Sequence, residues 1–165
     1  MKIIFLKGKR GAFKFATVDR EDYEYLSQFR WNLNKDGYVV RTSTPSERAR
    51  GYPNSVRMHR EVMGVFNANI TVDHKFHNKL DNRKKMLRVC TILQNNMNSA
   101  KRKGCSSKYK GVSWIGRLSK WIARISIKGV FTNLGCFKTE EEAGLAYNQK
   151  AIELFGEFAL LNEIE

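Results

Sequence analysis

The first half of the chain alternates short apolar runs with polar turns, a pattern that predicts small strands. We predict strands at residues 3–6, 13–18, 31–33, 38–41 and 56–58. An acidic stretch predicts a helix at 22–29, and residues 60–66 fit a second, short helix. Residues 42–54 hold both prolines and several hydroxyl side chains, which favours a loop.

A strand, a loop, a second strand and a helix are predicted next. Residues 72–74 end one strand, residues 86–90 form the other, and Thr91 is the expected N-cap of a helix at 91–98. Asn95 then lies one turn inside that helix. From there it can face the strand end that carries Asp73 and His74.

The C-terminal third predicts a three-stranded antiparallel sheet packed on one amphipathic helix. The strands are expected at 109–114, 121–127 and 130–137, with glycine turns between them. Ile125 and Ile127 alternate with polar and basic residues, so one face is apolar. Thr139 opens a capping box, and apolar residues at helical spacing follow up to Gly156. The fold class is therefore α+β.

Composition and charge indicate a nucleic-acid partner. The 165 residues include 30 Lys+Arg and 16 Asp+Glu, a formal net charge of +14. Fourteen of the basic residues lie between Asn82 and Thr139, where no acidic residue occurs. An isolated charge cluster is often only a solvated face, but this block spans a third of the protein and is interleaved with Tyr109, Trp114 and Trp121. Nucleic acid is thus favoured over an anionic membrane.

Several protein classes are disfavoured. No apolar run has the roughly 20 residues of a membrane helix, and the apolar start is too short for a signal peptide. Cys90, Cys105 and Cys136 form no C-x-x-C pair, so neither a disulfide framework nor a zinc site is expected. We expect a cytoplasmic protein with no membrane association.

The composition also predicts the domain boundaries. Residues 1–99 form an N-terminal domain with a β-rich lead-in, and its core is about 56–99. Residues 100–107 are small and basic, the composition of a linker, and residues 108–165 form the second domain.

Three side chains of the first domain suit phosphodiester hydrolysis. That reaction needs a base to activate water and a hard divalent cation to stabilise charge on the phosphate and the leaving oxygen. An imidazole suits the first task, and carboxylate and amide oxygens suit the second. His74 is the candidate base, and Asp73 and Asn95 are candidate ligands. Taken alone, an Asp-His pair is more often a structural hydrogen bond.

A family resemblance covers about residues 56–99. Met58-His59-Arg60, Val72-Asp73-His74, residues 78–83, Leu87-Arg88, Thr91 and residues 94–96 resemble the HNH endonucleases of bacteriophages and mobile introns. The resemblance implies a ββα-metal nuclease module in which His74 is the general base and Asp73 and Asn95 bind Mg²⁺ or Mn²⁺. It makes His59 a secondary catalytic candidate at the edge of the site. His59 is equally compatible with a structural role.

One position departs from that family. Its second characteristic residue, an asparagine, falls at Met86, and methionine can neither orient a loop by hydrogen bonding nor bind a hard metal. Either Asn82 takes over the orienting role, or the site is attenuated. Asn82 and Arg88 are the supporting residues of the predicted site.

A second resemblance covers residues 107–162. Tyr109-Lys-Gly-Val112, Lys120-Trp-Ile-Ala-Arg-Ile125, Leu134-Gly-Cys-Phe137, Glu140-Glu-Glu-Ala143 and Leu161-Asn162 resemble the DNA-binding domain of plant APETALA and ethylene-response factors. It implies a sheet in the major groove, with the helix behind it. The predicted DNA contacts are Lys110, Trp114, Arg117, Lys120, Trp121, Arg124 and Lys128. Core packing is the alternative for Trp114 and Trp121.

Together these features predict a site-specific, homing-type endonuclease that acts on double-stranded DNA with Mg²⁺ or Mn²⁺ and no other cofactor. We expect a phage- or mobile-element-encoded protein in a bacterial host cell, as a monomer or weak dimer. One site per chain predicts nicking by a monomer. The alternative is a DNA-binding or regulatory protein with a weakened nuclease module, which Met86 favours. RNA binding is less favoured, because no usual RNA-stacking motif is present.

Overall fold

The computed structural model describes residues 1–101 and 104–164, and they form two compact units. The units are Met1–Ile92 and Leu93–Glu165. Both contain small antiparallel sheets and few helices, which confirms the α+β class. Arg102 and Lys103 of the predicted linker lie outside the described residues. Among the described residues, no helix is long and apolar enough to cross a membrane.

Three small sheets and three short helices build the first unit. In chain order its elements are β1 (Lys2–Phe5), β2 (Phe15–Val18), α1 (Arg20–Ser27), β3 (Asn32–Leu33), β4 (Val39–Thr42), α2 (Pro45–Ala49), β5 (Ser55–Arg57), α3 (Met58–Val62), β6 (Thr71–His74) and β7 (Leu87–Cys90). Strands β1 and β2 pair with each other, β4 lies between β3 and β5, and β6 pairs with β7. All of these pairings are antiparallel.

The core of this unit gathers around Trp31. Its fully buried side chain packs with apolar residues from β1, β2, α1, β4 and the start of α3. The indole Nε1 donates a hydrogen bond to the carbonyl oxygen of Leu26 at 2.7 Å, which satisfies its one polar atom. The residues before position 56 and those after it therefore share one hydrophobic core.

The predicted loop at 42–54 contains a helix, so that prediction is wrong over Pro45–Ala49. Thr44 caps the helix, and Glu47 completes a capping box with Pro45 in the first turn. Arg41, only 2% exposed, donates hydrogen bonds to the carboxylates of Glu47 and Glu61. Its guanidinium thus fastens α2 and α3 to β4.

Other boundaries also differ from the predictions: the strand expected at 13–18 begins at Phe15, and the helix expected at 22–29 covers Arg20–Ser27. The helix expected at 60–66 is α3, which begins at Met58 and ends at Val62. The strand expected to start at Met86 begins at Leu87, because Met86 ends a 3-10 turn over Lys84–Met86.

Three strands and one long helix build the second unit. Helix α4 (Ile92–Met97) begins at the division between the units, and β8 (Val112–Ile115), β9 (Lys120–Ile127), β10 (Val130–Phe137) and α5 (Glu140–Phe155) follow. Strand β9 lies between β8 and β10, and both pairings are antiparallel. Ala143, Tyr147, Ala151 and Phe155 of α5 pack against the sheet, as predicted. Thr139 forms the expected capping box.

Strand β8 begins later than predicted for a steric reason. Gly111 has a φ of +77°, and an added Cβ would lie 2.1 Å from the ring of Tyr147. The chain turns at this glycine, so Tyr109 precedes the strand and packs in the core. The strand therefore covers Val112–Ile115 rather than 109–114.

Candidate functional site

Asp73 and His74 occupy the end of β6, where β7 holds them in register. Asp73 lies opposite Arg88, and His74 lies opposite Leu87. Arg88 Nε and Nη2 donate to Asp73 Oδ2 at 3.1 and 3.0 Å. Because neighbouring strand residues point to opposite faces, this ion pair lies on one face of the ribbon and the imidazole on the other.

His74 belongs to a cluster of three rings. The rings of His74 and His59 meet edge to face with centroids 4.9 Å apart. The Tyr38 ring lies 5.2 Å from His59 and 6.1 Å from His74. His59 on α3 is 2% exposed and His74 is 4% exposed. His59 and the candidate base His74 are therefore direct neighbours, and the ring of Tyr38 contacts both.

Burial keeps both imidazoles neutral. Desolvation, with the nearby charges of His74, Arg57 and Arg60, lowers the pKa of His59 to about 3. Desolvation also lowers the pKa of His74, although Asn82 and Asp73 oppose that shift. A neutral imidazole can accept a proton, which is the first requirement of a general base.

The fully buried Asn82 faces His74. Its backbone N–H donates to the Thr17 carbonyl at 2.8 Å, and the Thr17 N–H donates to the Leu80 carbonyl at 2.8 Å. These bonds hold the loop before β7 against β2. Asn82 Oδ1 accepts no hydrogen bond of normal geometry from the described residues, yet the side chain is close enough to His74 to raise its pKa. Hydrogen bonds between catalytic groups are often long or poorly aligned when no substrate is bound.

Met86 is half-buried in the 3-10 turn that precedes β7. Its carbonyl accepts a hydrogen bond from the Lys75 N–H at 3.0 Å, which closes the loop between β6 and β7. Its side chain brings no polar group to the site. Asn82, by contrast, has an amide beside the ring of His74.

In the first unit, Asp73 is a carboxylate that suits a hard divalent cation. Among residues 1–101 and 104–164, no three His, Cys, Asp or Glu side chains form a metal-binding group. Mg²⁺ does not need such a cage, because it commonly uses one or two protein oxygens with water and phosphate. Asp73 offers a carboxylate. Asn95 offers an amide on α4 and belongs to the second unit, so its pairing with Asp73 stays a prediction.

Basic side chains surround the ring cluster. Lys79 Nζ lies 4.4 Å from the centroid of the Tyr38 ring, and the Arg57 guanidinium lies 4.9 Å from it. His77, in the loop after β6, is exposed with a φ of +60°. Sequence reasoning missed Tyr38 as a site residue. No local signal marks it, because 21 positions separate it from the nearer histidine.

The register of the second sheet sorts the predicted DNA contacts onto two faces. Trp121 lies opposite Trp114, and both share the face of the Val112–Ala123 pair, which packs toward α5. Trp121 packs against that core, so the structure favours core packing for it. Trp114 is 44% exposed and meets Trp121 edge to face at 5.1 Å.

The opposite face is basic and mostly exposed, although Ile122, between its two cations on β9, is buried. Lys120 and Arg124 of β9 are exposed on it. Arg117 and Lys128 are exposed in the turns that flank β9. Register with Arg124 also places the exposed Asn133 of β10 there, a position that alternation against β9 would have identified. Lys110 differs: its half-buried Nζ donates to the Met97 carbonyl at 2.6 Å, and burial lowers its pKa to about 8.

A viral protein is similar to this chain over most of its length. An uncharacterized HNH endonuclease of Acanthamoeba polyphaga mimivirus is 34% identical over 161 residues, which covers 94% of this chain and 79% of the relative. No protein-family model matches the chain, and no solved structure matches it. An identity of this size over most of both chains indicates common descent. The chain belongs to the HNH endonucleases.

Proposed function

We propose that this protein is a divalent-metal-dependent endonuclease of the homing type that hydrolyses a phosphodiester bond of duplex DNA. The observation that carries the proposal is His74. Its buried, neutral imidazole lies at the end of β6 beside Asp73, in a chain that belongs to the HNH endonucleases.

His74 is the general base in this proposal. Its imidazole takes a proton from water, the water oxygen attacks phosphorus, and the bond from phosphorus to the leaving oxygen breaks. The leaving oxygen ends as a hydroxyl after it takes a proton from solvent. Asn82 and the edge contact with His59 keep the ring of His74 in one orientation, so that the accepting nitrogen stays directed at the water.

Asp73 and Asn95 are the side chains that would hold Mg²⁺ or Mn²⁺. When bound, the cation would stabilise negative charge on the phosphate and on the leaving oxygen. Arg88 has a separate task here. Its ion pair with Asp73 compensates the buried carboxylate charge and fixes the direction of that side chain.

The second unit selects the DNA in this proposal. Lys120, Arg124 and Asn133 share the open face of its sheet, and Arg117 and Lys128 lie at its ends. A sheet presents alternate side chains to the major groove, where arginine reads guanine and lysine neutralises phosphate. The resemblance to APETALA-type domains supports this mode.

A second candidate function is DNA binding without cleavage. The observation that favours it is Met86, which leaves the site without the asparagine that the family carries at this position. In that case, the protein would hold duplex DNA through its basic surfaces, as a regulator does.

Incubation of the purified protein with supercoiled DNA of mixed sequence tests the proposal. We expect nicked circles with Mg²⁺ or Mn²⁺ and no product with EDTA. Linear product would indicate a dimer or a second cut. Tight binding without cleavage under every metal condition would favour the second candidate function.

A further inference from the structure

The loop that joins β1 to β2 is strongly basic. Residues 7–14, called the basic loop below, read Lys-Gly-Lys-Arg-Gly-Ala-Phe-Lys, and all four cationic side chains are exposed. No acidic residue occurs before Asp19. This loop therefore places four exposed positive charges on the unit that holds His74.

The basic loop has a defined conformation. Lys14 accepts from the Leu6 N–H at 2.9 Å and donates its own N–H to the Gly11 carbonyl at 3.0 Å. The Gly11 N–H donates to the Gly8 carbonyl at 3.0 Å. An added Cβ on Gly11 would lie 2.5 Å from the Lys7 carbonyl oxygen, so only glycine fits this turn. The cationic side chains therefore project from a preformed turn.

Phe13 lies on the surface of this loop. Its side chain is fully exposed, at 104% of the reference area, and its φ is +61°. Positive φ is costly for a bulky residue, and exposure of a whole aromatic ring forgoes its hydrophobic burial. At the base of the loop, the partly exposed Phe5 and Phe15 rings meet edge to face at 6.4 Å. Aromatic rings among cations are typical of nucleic-acid-binding surfaces.

Strand β2 connects the basic loop directly to the candidate site. Thr17 on this strand exchanges backbone hydrogen bonds with Leu80 and Asn82, and Asn82 faces His74. Phe13 lies two residues before β2 begins at Phe15, so the four residue steps from Phe13 to Thr17 span at most roughly 13 Å. That length corresponds to about four base pairs of duplex at roughly 3.4 Å each. The loop is thus within reach of DNA that lies across the site.

We propose that the basic loop is a DNA contact distinct from the C-terminal sheet. Lys9 and Arg10 neutralise phosphates that flank the scissile bond, and Phe13 inserts as an apolar wedge into the groove of the same duplex. The inference rests on the proposed function, because duplex DNA is the partner that His74 and the loop would share. The nuclease unit therefore contacts the DNA near the scissile bond through this loop, independently of the C-terminal sheet.

Binding of the full-length protein to a fluorescent mixed-sequence duplex, measured by anisotropy in EDTA, tests this contact without cleavage. We expect Lys9→Ala/Arg10→Ala to weaken binding about fivefold to tenfold per charge near 0.1 M salt and to lower the salt slope by about 2. Phe13→Ala should weaken binding while the slope is unchanged, because the ring is uncharged. Phe13→Trp should retain the wild-type affinity.

The matched control is Arg20→Ala/Arg50→Ala, which removes two exposed cations of the same unit outside the loop. Equal losses in the loop variant and this control would overturn the proposal, since net charge alone would explain both. Wild-type affinity of the loop variant for the duplex would also overturn it. Absence of duplex binding by the wild-type protein would instead refute the proposed function, and the inference with it.

Discussion

His74 and His59 are stable as neighbours because neither is charged. Two imidazolium rings 4.9 Å apart would repel each other in a buried site. Desolvation lowers the pKa of both histidines, so each ring is neutral near neutral pH. His59 Nδ1 has no hydrogen-bond partner among the described residues. We infer that His59 acts through its edge-to-face contact with His74, which limits rotation of that ring.

Asn82→Ala tests which residue orients His74. We expect the cleavage rate to fall about 10- to 100-fold, as is typical when a partner that orients an active-site group is lost. The reason is that Asn82 is the buried amide beside the ring, while Met86 carries no polar side chain. Single-turnover nicking, with DNA affinity measured separately, separates lost orientation from lost binding.

A rescue variant controls for mere destabilisation. Asn82→Ala combined with Met86→Asn returns an amide to the position where the family has one, so part of the lost rate should return. Met86→Asn alone should change the rate little. If Asn82→Ala cleaves as fast as wild type while its DNA affinity is unchanged, Asn82 has no orienting role.

At the scale of elements, one buried cation joins three of them. Arg41 on β4 binds Glu47 of α2 and Glu61 of α3, and α3 also carries His59. Removal of one member of a buried ion cluster leaves its partners uncompensated. This arrangement ties the position of His59 to the short helices around it.

Acid should weaken this junction. The hydrogen bond from Arg41 is the main cause that lowers the pKa of Glu47 from 4.5 to about 2. The ionised Glu47 therefore stabilises the folded state fully above its unfolded pKa of 4.5, and this stabilisation is lost as the pH falls toward about 2. We expect a loss of about 1 to 3 kcal/mol, the lower figure allowing for solvent at the edge of the carboxylate. Urea unfolding between about pH 6 and pH 3 measures it. In Glu47→Gln that part of the pH dependence should disappear; an unaltered profile would contradict the ion pair.

Gly111 and Gly129 form a matched pair in the second unit. Both have positive φ, but a Cβ on Gly111 would meet the Tyr147 ring at 2.1 Å and the Arg124 carbonyl oxygen at 2.7 Å, while one on Gly129 meets nothing within 4 Å. We expect Gly111→Ala to cost about 3 kcal/mol or more and Gly129→Ala about 1 kcal/mol. Calorimetric unfolding compares the two variants. Equal losses of stability in the two variants would mean that Tyr147 of α5 does not restrict the side chain at position 111.

The elements that the sequence predicted well are those with a strong local signal. Strand β9 alternates between buried and exposed residues over its second half, and α5 has both its capping box and its glycine stop. Helix α2 was missed although Thr44, Pro45 and Glu47 carry a start signal, because a five-residue helix has little periodicity. The approach of Tyr38 to His59 and His74 is set by long-range packing, which no local pattern contains.

At the scale of the whole molecule, positive charge is distributed over both units. Fourteen basic residues lie in the acid-free block between Asn82 and Thr139, and the basic loop adds four near the N-terminus. Phosphate contacts from several such surfaces release many counterions. DNA binding should therefore weaken steeply as salt rises.

The salt dependence of binding also tests whether the open face of the C-terminal sheet contacts DNA phosphates. Arg124→Ala should lower the slope of log K against log salt by about 1. Lys150→Ala on α5 removes one charge as well, but this lysine pairs with Glu153 on the helix behind the sheet, so the slope should stay unchanged. Equal slopes in both variants would argue that the sheet face does not meet phosphate.

Nicking of supercoiled DNA by the wild type, His74→Ala and His77→Ala with Mg²⁺ tests whether His74 is the general base. The two histidines lie three positions apart, but His74 is buried in the ring cluster and His77 is exposed. We expect His77→Ala to nick at the wild-type rate and His74→Ala to lose about 10²- to 10⁴-fold. Equal nicking by all three proteins would contradict the assignment of His74 as the base.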